Sequence, residues 1–166
     1  KKCSDMLLPG VNDFEVSCIR NQIVLLEFQN HFGVSILNLP AYGTIINLLA
    51  RCTEESDQDA LKLKNQFDIT DVRFDILRLY GYSRGGNWDK VRQLYASRKS
   101  IIPIECCLQM VLAKKAYKEG DYYLSIMNLK EAPALALHYA LLLNQWKLAT
   151  KLARSEEHTS ELQSLP

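Results

Sequence analysis

Downstream of Asp13 the apolar residues Val16, Ile19, Ile23 and Leu26 fall three or four positions apart, the rhythm of one buried helical stripe. Asn12 or Asp13 can cap its start and Gly33 sits where it would stop, so the pattern predicts a helix of about five turns. Pro40 suits the first turn of a second helix carrying Ile45, Ile46, Leu48 and Leu49. The acidic stretch TEESDQD then reads as a loop, and ALKLKNQF as a short helix. Thr70 and Asp71 open another through Phe74, Leu77 and Tyr80, which runs out at Gly85 and Gly86, a natural left-handed stop. Trp88 begins a helix to about Ala96. Pro103 starts the next, with Leu108, Val111 and Leu112 on its stripe and Gly120 as its end. Further helices follow Asp121, Pro133 and Gln145. Val34 to Leu37 alternates weakly, but four residues do not make a sheet. The predicted class is all-α.

Three of these helices begin alike. GNWDKVRQL, GDYYLSIMNL and NQWKLATKL each place a small or polar turn before an aromatic residue, with aliphatics three to seven positions on. The sets are Trp88 with Val91 and Leu94, Tyr122 with Ile126 and Leu129, and Trp146 with Ala149 and Leu152. Such recurrence marks stacked helical hairpins, because no single hairpin can bury its apolar face alone. The spacings, 34 residues and then 24, are unequal, so the architecture expected is an irregular α-solenoid of stacked hairpins. Trp88, Leu94, Tyr122 and Trp146 are expected in its core, wedged between neighbouring hairpins.

Composition adds limits rather than chemistry. At 166 residues, 48% hydrophobic and 23% charged, the chain can bury one core. A net charge of +1, mixed along the sequence, gives no electrostatic footprint for nucleic acid. Five cysteines, Cys3, Cys18, Cys52, Cys106 and Cys107, lack C-x-x-C spacing and read as reduced, buried thiols. The greasiest run, APALALHYALLL, is broken by Pro133 and His138 and is shorter than the roughly 18 residues a span requires, so it reads as a buried helix. The start, KKCSDMLLPG, has neither an initiating Met nor a signal layout, and residues 1–12 are expected to be a lead-in from a longer chain.

Candidate chemistry is sparse. His31 and His138 stand far apart without metal-ligand spacing, and SRGGNW has no Lys-Ser or Lys-Thr partner to make a phosphate loop. No nucleophile has a visible base, so an enzyme is not expected, nor a metal or other cofactor. Arg92, Arg98, Lys99, Lys114, Lys115 and Lys118 form a basic cluster, read either as a surface for an acidic partner or as solvated helix faces. A solenoid of this kind is expected to be a protein-binding scaffold.

The stretch DALKLKNQFDITDVRFDILRLYGYSRGGNWDKVRQLYASRKS resembles the C-terminal helical region of the vacuolar protein sorting-associated protein sixteen family, or its metazoan paralogue. Carrying the resemblance are Ala60, Leu63 and Phe67, the run Ile69-x-Asp71-x-Arg73, Leu77, Trp88, and Ser97-x-Lys99-Ser100. Flanking stretches extend it over residues 13–153, the expected solenoid domain, with Phe67, Ile69 and Leu77 as core. The resemblance implies a non-enzymatic subunit of the endosomal and vacuolar tethering complexes HOPS and CORVET, cytoplasmic and peripheral to late endosomal, lysosomal or vacuolar membranes. It also implies docking of a Sec1/Munc18-like partner of the sorting thirty-three family, alongside other tethering subunits, with membrane contact only indirect. Ala60, where a small residue would admit a partner, and the charges of Arg73, Arg98 and Lys99 are the partner-binding positions it implies.

GYSRGGNWDKVRQLYASRKSIIP is also similar to a pentatricopeptide repeat, whose hairpins bind single-stranded RNA and recur near every 35 residues. Beyond Ala153 the apolar periodicity stops. RSEEHTSELQS resembles the in-frame translation of a sequencing-library adapter, so residues 154–166 are expected to be an artefactual, disordered tail.

Overall fold

Helix α1 (Asp13–His31) follows the stripe read from Val16 to Leu26 and closes with the Phe32 amide donating to the Phe28 carbonyl. The computed structural model describes residues 13–32, 39–129 and 131–163, with side chains as far as Arg154. The expectations for Gly33, for Val34 to Leu37 and for residues 1–12 lie outside the described residues. Of α1 only Leu25 and Gln29 are fully buried, while Ile19 and Leu26 of the predicted stripe stay exposed. Gln29 explains how α1 is held. Its amide donates to the Leu39 carbonyl at 2.7 Å and to the Thr44 hydroxyl at 2.8 Å, so a polar residue off the stripe pins α1 to the next helix.

That helix, α2 (Ala41–Leu49), starts after Pro40 and buries Ile45, Leu48 and Leu49 completely. The stretch TEESDQD is a correction: it is the start of α3 (Glu54–Gln66), not a loop. The Thr53 hydroxyl accepts the Ser56 amide at 3.1 Å and the Ser56 hydroxyl accepts the Thr53 amide at 3.2 Å, a reciprocal capping box. Glu54, Glu55 and Asp57 fill the first turn, where the helix's positive end favours carboxylates. Helix α4 (Asp71–Arg84) opens at Asp71 as read, and α2 packs against both α3 and α4. The close approach of α4 to α2 requires Gly81, since a Cβ there would collide with Leu49 Cβ and lie 3.2 Å from the Ile46 carbonyl oxygen. Residues up to Gly85 form one compact unit and those from Gly86 a second.

The second unit holds α5 (Trp88–Ser97), α6 (Ile104–Ala113), α7 (Tyr117–Ile126), α8 (Pro133–Leu142) and α9 (Trp146–Gln163), each helix packing on the next in sequence. Its spacing is regular. Gly86, Lys115 and Asn144 adopt left-handed φ of 75°, 54° and 59°, and each is followed two residues later by an aromatic that begins a helix: Trp88, Tyr117 and Trp146. The step is 29 residues both times, which corrects the 34 and 24 obtained by equating Tyr122 with the two tryptophans. In the true register the residues three and six positions on are all buried: Val91 and Leu94, Gly120 and Tyr123, Ala149 and Leu152. Gly120 is therefore no helix stop but an interior contact of α7. A Cβ on it would lie 2.6 Å from Leu143 Cδ1.

The core expectations divide accordingly. Ile69, Leu77 and Leu94 are buried, while Phe67, Trp88 and Tyr122 are half-buried. Trp146, expected in the core, is 63% exposed. A side chain at the first helical position hangs off the turn, and the wedge between helices is formed three and six residues further on. The segment expected to be disordered from Arg154 continues α9 as helical backbone to Gln163. Among the described residues the structure is all-helical, and no helix is long and apolar enough to cross a membrane.

Candidate functional site

Arg73 lies in the first turn of α4, where its neighbour Asp71 holds Lys64 Nζ at 2.7 Å and so ties the end of α3 to the start of α4. The Arg73 side chain is exposed, and its Nη1 donates to the Tyr42 hydroxyl on α2 at 3.3 Å. Tyr42 is itself 42% exposed, so cation and phenol together form a presented surface. Ala60 is different. It is completely buried on α3 beside Leu63, so it serves the packing of the first unit and presents nothing to a partner, contrary to the expectation.

Arg98 and Lys99 belong to the second unit, at the far end of α5. The Arg98 carbonyl accepts the amides of Ile101 at 2.8 Å and Ile102 at 2.9 Å, and fully buried Ile102 anchors the turn. Both basic side chains are exposed. The structure thus places Arg98 and Lys99 on one turn and Arg73 on the other unit.

The sequence cluster of basic residues lies wholly in the second unit and divides within it. Lys114, Lys115 and Lys118 flank the start of α7, and α5, at about 15 Å long, holds Arg98 away from that end. Arg92 is engaged internally: its guanidinium donates to both Glu119 carboxylate oxygens, at 2.6 to 3.0 Å, lies 3.6 Å from Asp89, and sits over the Tyr122 ring at 5.2 Å. The Glu119 carboxylate holds the Arg92 guanidinium above its usual range. Beneath this pair, Tyr95 and Tyr123 meet edge to face and the Cys107 thiol faces the Tyr123 hydroxyl. Burial pushes Cys107 up to about 12, and an inert thiol follows. The described cysteines, Cys18, Cys52, Cys106 and Cys107, are free thiols, but of the buried thiols expected only Cys107 is buried: Cys52 and Cys106 are half-buried and Cys18 is exposed.

Two adjoining hollows, of about 190 and 320 Å³, open beside His31, Phe32 and Asp59. Of their charged residues, Arg51 donates to the Phe32 carbonyl at 2.9 Å and Asp59 holds Lys62 at 2.7 Å. Among the described residues no group of His, Cys, Asp and Glu is placed to hold a metal ion. Sequence reasoning missed Tyr42 as the partner of Arg73, which no motif signals. It also missed Tyr117 as the counterpart of Trp88 and Trp146, although AY after Lys115 stands in the same register as NW and QW.

A family model described as Vps16, C-terminal region, matches residues 1–165. Comparison with curated proteins and with solved structures returns no match.

Proposed function

This chain belongs to the family of Vps16 C-terminal regions, and on that premise we propose that it is a helical scaffold of a vacuolar and endosomal tethering complex. Its role there is to dock a Sec1/Munc18-like subunit of the sorting thirty-three family in HOPS- or CORVET-type assemblies, without catalysis of its own, at the periphery of late endosomal, lysosomal or vacuolar membranes. The observation that carries the reading is the family match along 1–165, which follows the resemblance borne by Ile69, Asp71, Arg73 and Trp88. Exposed Arg73 on Tyr42, and exposed Arg98 and Lys99 on their anchored turn, support it as cations presented at the surface, complementary to an acidic partner. The 29-residue step of the second unit differs from the period of about 35 that a pentatricopeptide array uses, so no observation favours the RNA-binding alternative.

Co-purification of the full chain with the Sec1/Munc18-like subunit of the same organism tests this. Arg73→Glu, and separately Arg98→Glu with Lys99→Glu, are expected to weaken retention at least about tenfold with unchanged helicity. Retention that survives both sets removes these residues from the interface.

A further inference from the structure

We propose that the edge of the second unit where α7 and α9 begin is a docking strip for an extended, acidic segment of a partner protein bearing apolar side chains. The edge is built by stagger. Arg92, in the second turn of α5, reaches Glu119 in the first turn of α7, and Asp121, in the second turn of α7, accepts from Gln145 just before α9. Successive helix starts therefore lie side by side, with Tyr117 and Trp146 in equivalent positions and 45% and 63% exposed.

Around these rings stand Lys114, Lys115, Lys118 and Lys147, all exposed and none with its ammonium group in an ion pair or hydrogen bond among the described residues. The acids nearby are already occupied: Glu119 and Asp89 by Arg92, and Asp121 by the Gln145 amide. Arg92 and the four lysines outnumber Asp89, Glu119 and Asp121, so the edge is net positive. Nor do these lysines serve the fold. Lys118 and Lys147 occupy the second positions of α7 and α9, where the helix's own partial charge is positive. Lys115 holds a left-handed φ of 54° that glycine would adopt with less strain.

Helices packed side by side stand about 10 Å from each other, close to one three-residue turn of polyproline-II chain at about 3.1 Å per residue. A segment in that extended conformation presents residues i and i+3 on one face, so it can set an apolar side chain on Tyr117 and another on Trp146, with carboxylates between them for the lysines. An anionic membrane is the less suitable occupant, because the strip is only one ring wide.

The probe is a fluorescein-labelled peptide of repeated Glu-Glu-Leu, titrated into the full chain carrying Trp88→Phe so that Trp146 alone reports. Expected are saturable binding that weakens with salt, a blue shift of Trp146 emission, and about tenfold weaker binding for Lys118→Glu with Lys147→Glu and for Trp146→Ala, at unchanged helicity. Four results overturn the proposal: equal affinity for a Lys-Lys-Leu peptide, affinity untouched by these substitutions, binding to phosphatidylserine vesicles but not to peptide, or a dimer in which Trp146 is already buried. The test uses no tethering subunit, so it stands or falls apart from the function proposed above.

Discussion

In the first unit Gln29, Thr44, Ser56, Asp59, Asp75 and Ser83 are buried, whereas the buried side chains described in the second are apolar, aromatic or thiol. The contrast coincides with one of geometry, since the second unit repeats a 29-residue step that the described residues of the first do not show. Hydrogen bonds such as Gln29 to Leu39 and Thr44 demand one partner at one distance, and they fix a single arrangement. Apolar contacts at Val91, Gly120 and Ala149 tolerate different side chains at one position, provided that volume is filled. Regularity in the second unit rests on the left-handed turns and on this tolerance.

Gly81→Ala should give the largest effect, about 2 to 3 kcal/mol of destabilisation by chemical denaturation, because the added methyl meets the Cβ of Leu49 and the backbone of α2. A wild-type midpoint would show that α2 and α4 slide as freely as apolar stacking does elsewhere. Next comes Gln29→Leu, which keeps volume but strips the Leu39 carbonyl and Thr44 hydroxyl of their donor, for a loss of about 2 kcal/mol. Stability equal to wild type would erase the distinction between the two interiors.

Gly120→Ala sharpens the comparison from the other side. Here the new methyl meets the Leu143 side chain, Cδ1 and Cδ2 at 2.6 and 2.8 Å and Cγ at 3.2 Å, which can shift as backbone cannot, and the helix gains about 1 kcal/mol of intrinsic propensity. Stability within about 1 kcal/mol of wild type is expected. Smallest at neutral pH, where it vanishes, is a pH effect in the second unit. Burial lifts the Cys107 thiol from 9.0 to about 12, so above pH 9 the unfolded chain releases a proton that the folded chain keeps. This contribution is fully present below pH 9 and lost as pH rises toward 12. Cys107→Ala should flatten part of that fall in the denaturation midpoint, and an unchanged slope would contradict the assignment.

Helix starts were legible wherever a residue type forces them: Pro40, Pro103 and Pro133 cannot lie in a helix interior, and Thr70 with Asp71 marks an opening. TEESDQD was misread because its capping box uses Ser56 where Glu or Gln is usual, and because polar residues hide a helix whose apolar face begins only at Ala60. Gly120 looked like a terminator because the sequence shows a glycine's freedom but not the Leu143 side chain lying against it. Tyr122 was taken for the repeated aromatic, since two tyrosines follow GD directly and the left-handed Lys115 carries no glycine to announce its turn. Of the candidate site, the charges of Arg73, Arg98 and Lys99 were legible as surface residues. Burial of Ala60 was not, because a small residue suits a helix crossing as well as an open docking face.

The docking role is tested most directly by light scattering on the full chain mixed in equal amounts with the Sec1/Munc18-like subunit. One species with the mass of a one-to-one complex, lost on Arg73→Glu, is the predicted result. Two separate species from folded, helical protein would contradict it.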